Sequence, residues 1–221
     1  MPPPLVLLSS LFLVSIGVLR AEPSRLFDGK TFAGWEGDTG TVWRIERGEI
    51  VAGKTDAKQP TNNFLCTTHD YADFDLRVTY KRGANNGGVQ FRSERVPNHY
   101  EVSGYQADLA PGIDGFLYDE SRRKKFLRAF DPSLGPVKPA AKKLNLGEWN
   151  TYRIRAEGPL IRLWVNDVLT VDYTEEDATI PRTGKIALQI HSGATEIRYK
   201  DVVIEELRSA ASSAPAKTSA L

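Results

Sequence analysis

The chain reads Leu-Ile-Arg-Leu-Trp-Val-Asn-Asp-Val-Leu-Thr-Val-Asp-Tyr from residue 160 to residue 173. Two short runs rich in branched and aromatic residues flank the pair Asn166-Asp167. Both residue types of this pair tolerate the positive φ angles that a two-residue hairpin turn requires. The pattern therefore predicts two antiparallel strands, Leu160–Val165 and Val168–Tyr173, joined by a tight turn.

The same kind of pattern continues along most of the chain. Apolar and polar residues alternate from Phe74 to Lys81, which is the period of a half-buried antiparallel strand, and almost nothing repeats with a helical period. Further strands are predicted at Val42–Ile45, Glu49–Ala52, Phe64–Thr67, Gly88–Ser93, Tyr100–Tyr105, Phe116–Tyr118, Trp149–Glu157, Lys185–His191 and Glu196–Glu206. Many short strands separated by turn residues predict an all-β protein, an antiparallel β-sandwich or jelly roll.

The beginning of the chain differs from the rest. An apolar run from Leu5 to Leu19 is followed by Arg20-Ala21 and then by polar sequence. The run is shorter than the ~20 residues that span a membrane, but it suits the apolar region of a signal peptide. We therefore predict a signal peptide over residues 1–21 and an exported protein, periplasmic or extracellular. The alternative is an uncleaved anchor, because the leading Met-Pro-Pro-Pro carries no Lys or Arg.

Charge and cysteine content limit the partners of the mature chain. Loss of residues 1–21 removes one cation, Arg20, from the 29 basic residues and leaves 28 against 28 acidic residues. A neutral chain gives no electrostatic reason to bind nucleic acid or anionic lipid. Cys66 is the only cysteine, so no disulfide can form within the chain. The sequence predicts one domain over residues 25–207 that relies on its core.

Two segments stand apart from this domain pattern. Residues 119–147 begin with a charged run and continue rich in Pro, Ala and Lys, which predicts a long loop that forms a rim or lid over a site. Residues 208–221 are mostly Ala and Ser and are predicted to be disordered.

Polar residues of unusual variety occur between residues 85 and 108. Alternation places Gln90 and Arg92 on one face of a strand, and Glu101, Ser103 and Tyr105 on one face of the next. A strand that only needs solvation usually carries Lys, Glu or Thr. Amides, a guanidinium and a phenol side by side suit a polyhydroxylated ligand.

A second polar pair lies near the C-terminus. In Lys185–His191 the apolar residues share one face, and Gln189 and His191 share the other. This pair would join the Gln90 surface if the strands belong to one sheet; otherwise it is a solvent-facing pair. Asn85-Asn86-Gly87-Gly88 predicts a tight turn, with backbone amides near the same face.

Other conspicuous residues have plainer interpretations. His69 and His99 lie in predicted turns and are expected to decorate the surface, and the charged run Glu175–Asp177 is expected to be solvated. The four tryptophans are expected to pack in the core rather than to serve as sugar platforms: Trp35, Trp43, Trp149 and Trp164.

The motifs of several enzyme classes are absent from the sequence. It contains no Gly-x-Ser-x-Gly elbow, phosphate-binding loop, dinucleotide fingerprint or His-Glu-x-x-His pair. No strand presents acids at alternate positions, as sandwich glycosidases with paired carboxylates would.

Five motifs occur in order along the chain: Leu-Phe-Asp-Gly-Lys-Thr-Phe-Ala-Gly-Trp (26–35), Asn-Asn-Gly-Gly-Val-Gln-Phe-Arg-Ser (85–93), Tyr-Glu-Val-Ser-Gly-Tyr-Gln-Ala-Asp (100–108), Gly-Glu-Trp-Asn (147–150) and Ile-Ala-Leu-Gln-Ile-His (186–191). Together they resemble the 3-keto-disaccharide hydrolase family, also described as 3-keto-glucoside 1,2-lyase or 3-keto-2-hydroxyglucal hydratase. The resemblance covers residues 25–207 and implies a concanavalin-like, LamG-like sandwich, usually exported. It also implies action on glycosides that another enzyme has oxidised at C3.

This chemistry needs no pair of carboxylates. A C3 ketone acidifies the C2 proton, so a base can remove it and the C1 substituent can leave by elimination; water can then add to the glucal. The reaction requires a base, a group that stabilises the enolate, and an acid at the leaving oxygen.

The resemblance and this chemistry together suggest roles for particular residues. His191 is the candidate base and Arg92 the enolate stabiliser, while Glu101 or Asp108 is the acid or orients His191. The remaining candidates would bind substrate hydroxyls: Asn86, Gln90, Tyr105, Gln106, Tyr118 and Gln189.

Two alternatives remain open at this point. Asp108, Glu101 and His191 could instead ligate a divalent metal ion, although their spacing matches no metal motif. The chain could also be a non-catalytic carbohydrate-binding module on the same sandwich, because a fold does not determine a function.

Overall fold

The computed structural model describes residues 22–83, 86–128 and 147–207. In chain order the strands of these residues are β1 (Ser24–Arg25), β2 (Trp35–Glu36), β3 (Trp43–Glu46), β4 (Glu49–Gln59), β5 (Asn63–Thr67), β6 (Phe74–Arg82), β7 (Gly87–Arg95), β8 (Val102–Leu109), β9 (Leu117–Glu120), β10 (Lys125–Arg128), β11 (Asn150–Glu157), β12 (Leu160–Val165), β13 (Val168–Thr174), β14 (Lys185–Ile190) and β15 (Gly193–Glu206). The predicted signal peptide, the predicted tail and residues 129–146 of the predicted loop lie outside the described residues.

The strands form two antiparallel sheets packed face to face. The eight-stranded sheet has the order β13-β12-β11-β6-β15-β4-β3, with β1 paired to β15. The seven-stranded sheet has the order β10-β9-β8-β7-β14-β5-β2. The predicted all-β sandwich is confirmed. The described part of the chain holds no helix long and apolar enough to cross a membrane.

Alternation along the strands fills the space between the sheets. In β6, Phe74, Leu76, Val78 and Tyr80 are buried in the core, as predicted. The Phe74 ring meets the Phe91 ring of the other sheet edge to face, with centroids 6.3 Å apart. Apolar burial on this scale is the main stabilising contribution in a chain without a disulfide.

The hairpin between β12 and β13 has the predicted turn. Asn166 and Asp167 have φ angles of 47° and 65°, which match the two positive angles of the predicted turn. The Asn166 Oδ1 atom accepts a hydrogen bond of 2.9 Å from the Thr151 N–H, so the turn is also fastened to β11.

All twelve predicted strands are present, with ends that differ by up to seven residues, the most in β4, which continues from the predicted end at Ala52 to Gln59. Three short strands were not predicted: β1, β2 and β10. β10 lies within the predicted loop 119–147 and pairs with β9 at the edge of its sheet. Its side chains are mostly exposed, so it lacks the alternating burial that identifies a strand.

The tryptophans divide into two pairs. Trp35 and Trp43 are buried, as predicted. Trp149 and Trp164 are only half-buried, and cations cover their rings: Lys200 Nζ lies 3.9 Å from the Trp149 ring and Arg153 lies 4.5 Å from that of Trp164. The core prediction is therefore wrong for the second pair, whose faces are occupied by cation–π contacts.

Candidate active site

A bulge in β7 decides which side chains reach the outer face of the seven-stranded sheet. Phe91 pairs with Tyr105, but the next partners along the strands are Glu94 and Ser103, so β7 contains one extra residue. Arg92 lies in this bulge with a φ of 47°. An extra residue reverses the alternation beyond it, so period two fails at this point.

Arg92 therefore does not share the face of Gln90, and this expectation is wrong. Its guanidinium donates hydrogen bonds to Asp73 Oδ1 at 2.8 Å, to Ala72 O at 2.8 Å and to Gly158 O at 2.7 Å. The side chain is buried and all three of its nitrogen atoms are engaged. These bonds use three of the five guanidinium N–H donors, and the side chain is 1% exposed, so the other two are not presented to a ligand in the cleft.

Tyr105 also faces away from the predicted site. Its ring stacks on Phe91 inside the core at 5.5 Å, and its hydroxyl donates a 2.8 Å hydrogen bond to Glu175. The outer face of β8 instead carries Gln106 and Asp108, one step out of phase with Tyr105.

Beyond the bulge, the β7–β8 hairpin folds back over the outer face of its own sheet. Val102 joins a second apolar cluster with Phe64, Cys66 and Ala187 of β5 and β14. Arg95 also donates a 3.0 Å hydrogen bond to the carbonyl of Phe64.

The folded hairpin carries Glu101 across the sheet. Asn62 Nδ2 donates a 2.9 Å hydrogen bond to Glu101 Oε1, although the two residues are 39 positions apart. Glu101 thus approaches the end of β14, where His191 lies.

A chain of side-chain amides crosses β7 and β8 beneath this hairpin. Ser93 Oγ donates to Gln90 Oε1 at 3.1 Å, Gln90 Nε2 donates to Gln106 Oε1 at 2.5 Å, and Gln106 Nε2 donates to Asp108 Oδ1 at 2.9 Å. The Gln106 amide lies over Gly88, where an added Cβ would be 2.7 Å from its Cδ. Gln90, Gln106 and Asp108, all candidate site residues, thus lie side by side on this face, and their role in a site stays a prediction.

Asp108 ends the amide chain as a buried carboxyl group. Burial raises the pKa of Asp108 to about 7, against the hydrogen bond from Gln106, and the neighbouring Glu120 raises it further. A carboxyl group with a pKa near neutrality can gain or lose a proton at working pH.

Two more carboxyl groups have raised pKa values. Burial raises the pKa of Glu101, while Asn62 and the nearby charges of His191 and Lys124 oppose the rise. Burial also raises the pKa of Glu120, and the charge of Glu101 adds to the effect. Such clusters of perturbed acids are common at functional sites.

His191 lies near these acids. Its Nδ1 atom is 3.1 Å from the Ser192 carbonyl oxygen and 3.3 Å from the Ser192 hydroxyl oxygen. A hydrogen bond to the carbonyl requires the proton on Nδ1, and in that tautomer the Nε2 lone pair can act as a base. The His191 N–H donates a 3.3 Å hydrogen bond to the carbonyl of Asn86, which fixes the end of β14.

Gln189 is the least satisfied polar side chain of this face. It is completely buried on β14, and neither its amide oxygen nor its amide nitrogen has a hydrogen-bond partner among the described residues. The Asn86 Oδ1 and Glu101 Oε2 atoms are buried in the same state. A buried polar group without a partner costs about 1–3 kcal/mol, which a ligand hydroxyl that reached these atoms would offset. Glu101 lines the cleft described next, whereas Gln189 and Asn86 do not.

An open cleft of about 670 Å³ lies between the β7–β8 hairpin and the β9–β10 turn. The cleft is lined by Glu94, Arg95, Val96, Pro97, His99, Tyr100, Glu101, Ser103, Tyr118, Glu120, Ser121 and Lys124. Its volume is in the range of small-molecule sites, about 300–1,000 Å³. His99, expected only to decorate the surface, is exposed and lines this cleft.

The described part of the predicted loop contributes one wall of the cleft. Glu120, Ser121 and Lys124 line it, whereas Asp119 points into the protein and binds Arg122 and Arg123.

Glu175, at the edge of the eight-stranded sheet, binds the β9–β10 turn through Arg123. Arg123 donates to Glu175 Oε2 at 2.7 Å and to Oε1 at 3.2 Å, and Tyr173 donates to Oε2 at 3.1 Å. Burial alone would raise the pKa of Glu175, but the hydrogen bonds from Arg123 and Tyr105 hold it at about 2. The expectation that Glu175 is solvated is wrong, since its charge is buried and paired.

Two charged residues of the cleft, Glu120 and Lys124, are not among the residues that the sequence pattern predicts for the site. β9 extends two residues beyond the predicted end at Tyr118. Continuing the period of two from Tyr118 would have placed Glu120 on the same face, because Gln106 pairs with Tyr118 and Gly104 with Glu120. No comparable signal marks Lys124, which follows a turn.

The metal hypothesis finds no ligand cluster in the described ranges. Asp108, Glu101 and His191 do not form a group of three that could hold an ion, and neither do other His, Cys, Asp or Glu residues of residues 22–83, 86–128 and 147–207. A divalent metal ion stays a prediction.

The sandwich is similar to solved structures of carbohydrate-active proteins. A candidate glycosyl hydrolase from Parabacteroides distasonis matches with a TM-score of 0.62 and 21% identity, over 84% of this chain and 94% of that one. The carbohydrate-binding module CBM66 from Bacillus subtilis matches with a TM-score of 0.58 and 16% identity, over 78% and 96%. A Bacillus licheniformis β-glucanase matches with a TM-score of 0.53 and 12% identity, over 85% and 98%.

These structural similarities establish the fold, and the family match adds the class of protein: a carbohydrate-active β-sandwich protein. The chain belongs to the 3-keto-alpha-glucoside-1,2-lyase-like domain family, whose sequence model matches residues 22–205. No curated protein matches the chain.

Proposed function

We propose that this protein cleaves or hydrates 3-keto-glycosides by base-promoted elimination at C1 followed by addition of water. One observation carries the proposal: Glu101 and Glu120 line the cleft, both have raised pKa values, and both interact electrostatically with His191. Glu120 also interacts with the buried Asp108, whose pKa is raised to about 7. Proton transfer at neutral pH needs groups of this kind. Family membership supports the same reaction class.

The reaction balances without a redox partner. A base takes the proton from C2, and the electron pair of that bond becomes part of an enolate that extends over C2, C3 and the C3 oxygen. The pair then makes the C1–C2 double bond as the C1–O bond breaks, and the leaving oxygen takes a proton. In the second stage, water adds its oxygen to C1 and a proton to C2.

His191 is the base in this proposal. In the tautomer whose Nδ1–H donates to the Ser192 carbonyl, the Nε2 lone pair is available. Glu101 interacts electrostatically with His191 and would stabilise the imidazolium that forms. The pairing of an imidazole with a carboxylate is a common way to hold such a base.

Lys124 and Glu120 take the two remaining roles. Arg92 is engaged elsewhere, whereas the Lys124 ammonium group lines the cleft and interacts with both Glu101 and Glu120. We propose that the Lys124 ammonium group stabilises the negative charge of the enolate. Glu120, with its raised pKa, would donate the proton to the leaving oxygen.

The amide face binds the sugar hydroxyls in this proposal. Gln90 and Gln106 are connected, and Asp108 can accept from a hydroxyl. Gln189 and Asn86 have buried polar atoms that lack partners among the described residues. Each sugar hydroxyl can both donate and accept, so it can satisfy such atoms.

The decisive experiment is incubation of the protein with a 3-keto-glucoside and with 3-keto-trehalose, each with and without a chelator. Release of the aglycone together with a 2-hydroxyglucal or 3-keto-glucose supports the proposal. Loss of turnover in the presence of the chelator would support the prediction that the site binds a divalent metal ion.

His191→Ala should abolish turnover while the melting temperature stays within a few degrees of the parent, because the ring is partly exposed and lies after the last residue of β14. Product analysis and circular dichroism measure the two quantities. Full activity in His191→Ala would remove this residue from the mechanism. If the parent neither releases nor hydrates any 3-keto sugar yet binds glycosides, the non-catalytic carbohydrate-binding module is the better assignment.

Export belongs to the same proposal. The apolar run before Arg20-Ala21 supports cleavage of residues 1–21, so we propose a periplasmic or extracellular protein with a 3-keto-glycoside as its partner and no nucleic acid. N-terminal sequencing of the protein recovered outside the cytoplasm tests this. An intact Met1 on membrane-bound protein would favour the uncleaved anchor.

A further inference from the structure

The cleft is larger than a single sugar ring requires. Its volume of about 670 Å³ is in the middle of the range of sites that bury ligands of drug size. A ligand of two rings fits this space better than a free monosaccharide does.

The lining of the cleft is chemically divided. Its charged residues lie on the strands that flank the hairpin tip and near the β9–β10 turn: Glu94, Arg95, Glu101, Glu120 and Lys124. The tip itself supplies ring surfaces, from Pro97, His99 and Tyr100, and carries no charged side chain between Arg95 and Glu101. A ligand that reaches the tip therefore meets ring surfaces there and charged groups along the rest of the cleft.

Tyr100 is unusual among the aromatic residues. It is 45% exposed, and in the described part of the chain only Phe126 is a comparably exposed large hydrophobic residue. Phe126 does not line the cleft and its ring packs against Tyr118 at 5.0 Å. The solvent-exposed surface of Tyr100, in contrast, belongs to the cleft wall.

The hairpin tip holds Tyr100 in place. The Val96 N–H donates to Glu101 O at 3.0 Å and the His99 N–H donates to Val96 O at 3.2 Å. His99 Nδ1 accepts from the Glu101 N–H at 3.2 Å, and its ring packs against Tyr100 with centroids 4.2 Å apart. A ring fixed before binding loses little entropy when a ligand stacks on it.

We propose that Tyr100 and His99 form the subsite for the leaving group, and that this subsite selects a cyclic leaving group with a flat apolar face. The inference rests on the proposed function. The ring to be cleaved lies against Glu101 and the amide face, and the leaving group extends along the hairpin tip. Both a second pyranose ring and an aryl aglycone offer the required face, whereas a methyl group does not.

The test compares leaving groups in the full-length protein. The quantity is the ratio of kcat/KM for a 3-keto-disaccharide, and for phenyl 3-keto-glucoside, to kcat/KM for methyl 3-keto-glucoside. Tyr100→Ala should lower at least one ratio about tenfold, the size expected for loss of one ring contact. The substrate that responds identifies the source of the ring, and Tyr100→Phe should restore most of the ratio.

Trp164→Ala is the matched control, since that ring lies on the other sheet under Arg153 and should leave both ratios unchanged. Equal losses for all three substrates, or no change in either ratio, would overturn the subsite. If the parent turns over no 3-keto sugar, the result contradicts the proposed function and not the subsite. In that event calorimetric binding of unoxidised phenyl glucoside and disaccharide decides: about tenfold weaker binding in Tyr100→Ala supports the subsite, and unchanged binding overturns it.

Discussion

Asp108 shows at the level of one residue how a buried carboxyl group, here a candidate site residue, lowers the stability of a fold. Its carboxyl group is buried and its pKa is raised from 3.8 to about 7. The unfolded chain therefore loses this proton at lower pH than the folded protein does. Stability is lost as the pH rises from about 4 to 7, and the full cost is present above that range.

Asp108→Asn should consequently stabilise the protein at pH 8 by roughly 1–3 kcal/mol, because the amide keeps the hydrogen bond from Gln106 without a buried charge. The gain should shrink as the pH falls and vanish near pH 4. Urea unfolding at several pH values measures it. Turnover of 3-keto-glycosides should fall in the same variant.

Asp38→Asn is a control of opposite sign. Hydrogen bonds from the Thr41 side chain and backbone lower the pKa of Asp38, so its charged form favours the folded state. That variant should lose stability at pH 8, and the loss should fade as the pH falls through the lowered pKa. The same sign for both variants would contradict the account of Asp108.

The sheet face on which a side chain lies could be predicted where a strand alternates regularly, and not beyond an irregularity in the strand. Gln90 and Gln106 pair directly because β7 and β8 are regular up to Phe91 and Tyr105, whereas Tyr105, expected on the same face as Gln90, pairs with Phe91 and faces the core. Arg92 was misplaced because a bulge adds one residue to β7. Nothing in the local sequence distinguishes Arg92 from a regular strand residue, since its partners come from Asp73 and Gly158, far along the chain.

At the level of elements, the β9–β10 turn is fixed by a buried network rather than by its own hydrogen bonds alone. Glu175 follows β13 at the edge of the other sheet, yet it binds Arg123 through both carboxylate oxygens. The same turn presents Glu120 and Lys124 to the cleft. The two sheets are therefore connected through the wall of the candidate active site.

Glu175→Gln should loosen this wall. Loss of the buried charge weakens its hydrogen bonds from Arg123, Tyr105 and Tyr173, at a cost of about 1–3 kcal/mol. We expect faster hydrogen–deuterium exchange in residues 120–124 and a lower kcat well below the melting temperature. Mass spectrometry of the exchanged peptides and steady-state kinetics measure the two effects.

Asp75→Asn is the matched control for this element. Asp75 is a buried carboxylate that accepts from Arg153 at 2.9 Å on the outer side of the eight-stranded sheet. This variant should lose comparable stability and keep both its kcat and the exchange of residues 120–124. If Glu175→Gln changes stability alone, in the same way as the control, the network does not position the cleft wall.

Strands with at least one buried face could be predicted from the sequence, and exposed edge strands could not. The twelve strands found from the sequence alternate or are apolar because one or both of their faces pack. β10 was missed because it packs little and lies at an edge. The return of the β7–β8 hairpin over its own sheet also has no local signal, since it depends on the distant contact between Asn62 and Glu101.

At the level of the whole molecule, one aromatic stack connects the inner faces of the two sheets. Phe91 touches Phe74 of β6 and Tyr105 of β8, and all three rings are buried. Phe91 is also the residue at which the β7 bulge begins. The core and the candidate site thus occupy opposite faces of the same strand, so their contributions can be separated by substitution.

Phe91→Leu should lower the free energy of unfolding by about 1–3 kcal/mol and Phe91→Ala by about 3–5 kcal/mol, because the smaller side chains leave a cavity between the sheets. Both variants should unfold in a single transition, as one core predicts, and reductant should change nothing, since Cys66 is buried and unpaired. Calorimetry with and without reductant measures this.

Phe91→Leu should keep the KM of the parent, because it removes no group from the outer face. Two separate transitions would mean that the sheets are stabilised independently, and a raised KM in Phe91→Leu would mean that core packing sets the shape of the bulge and, through it, the position of Glu101.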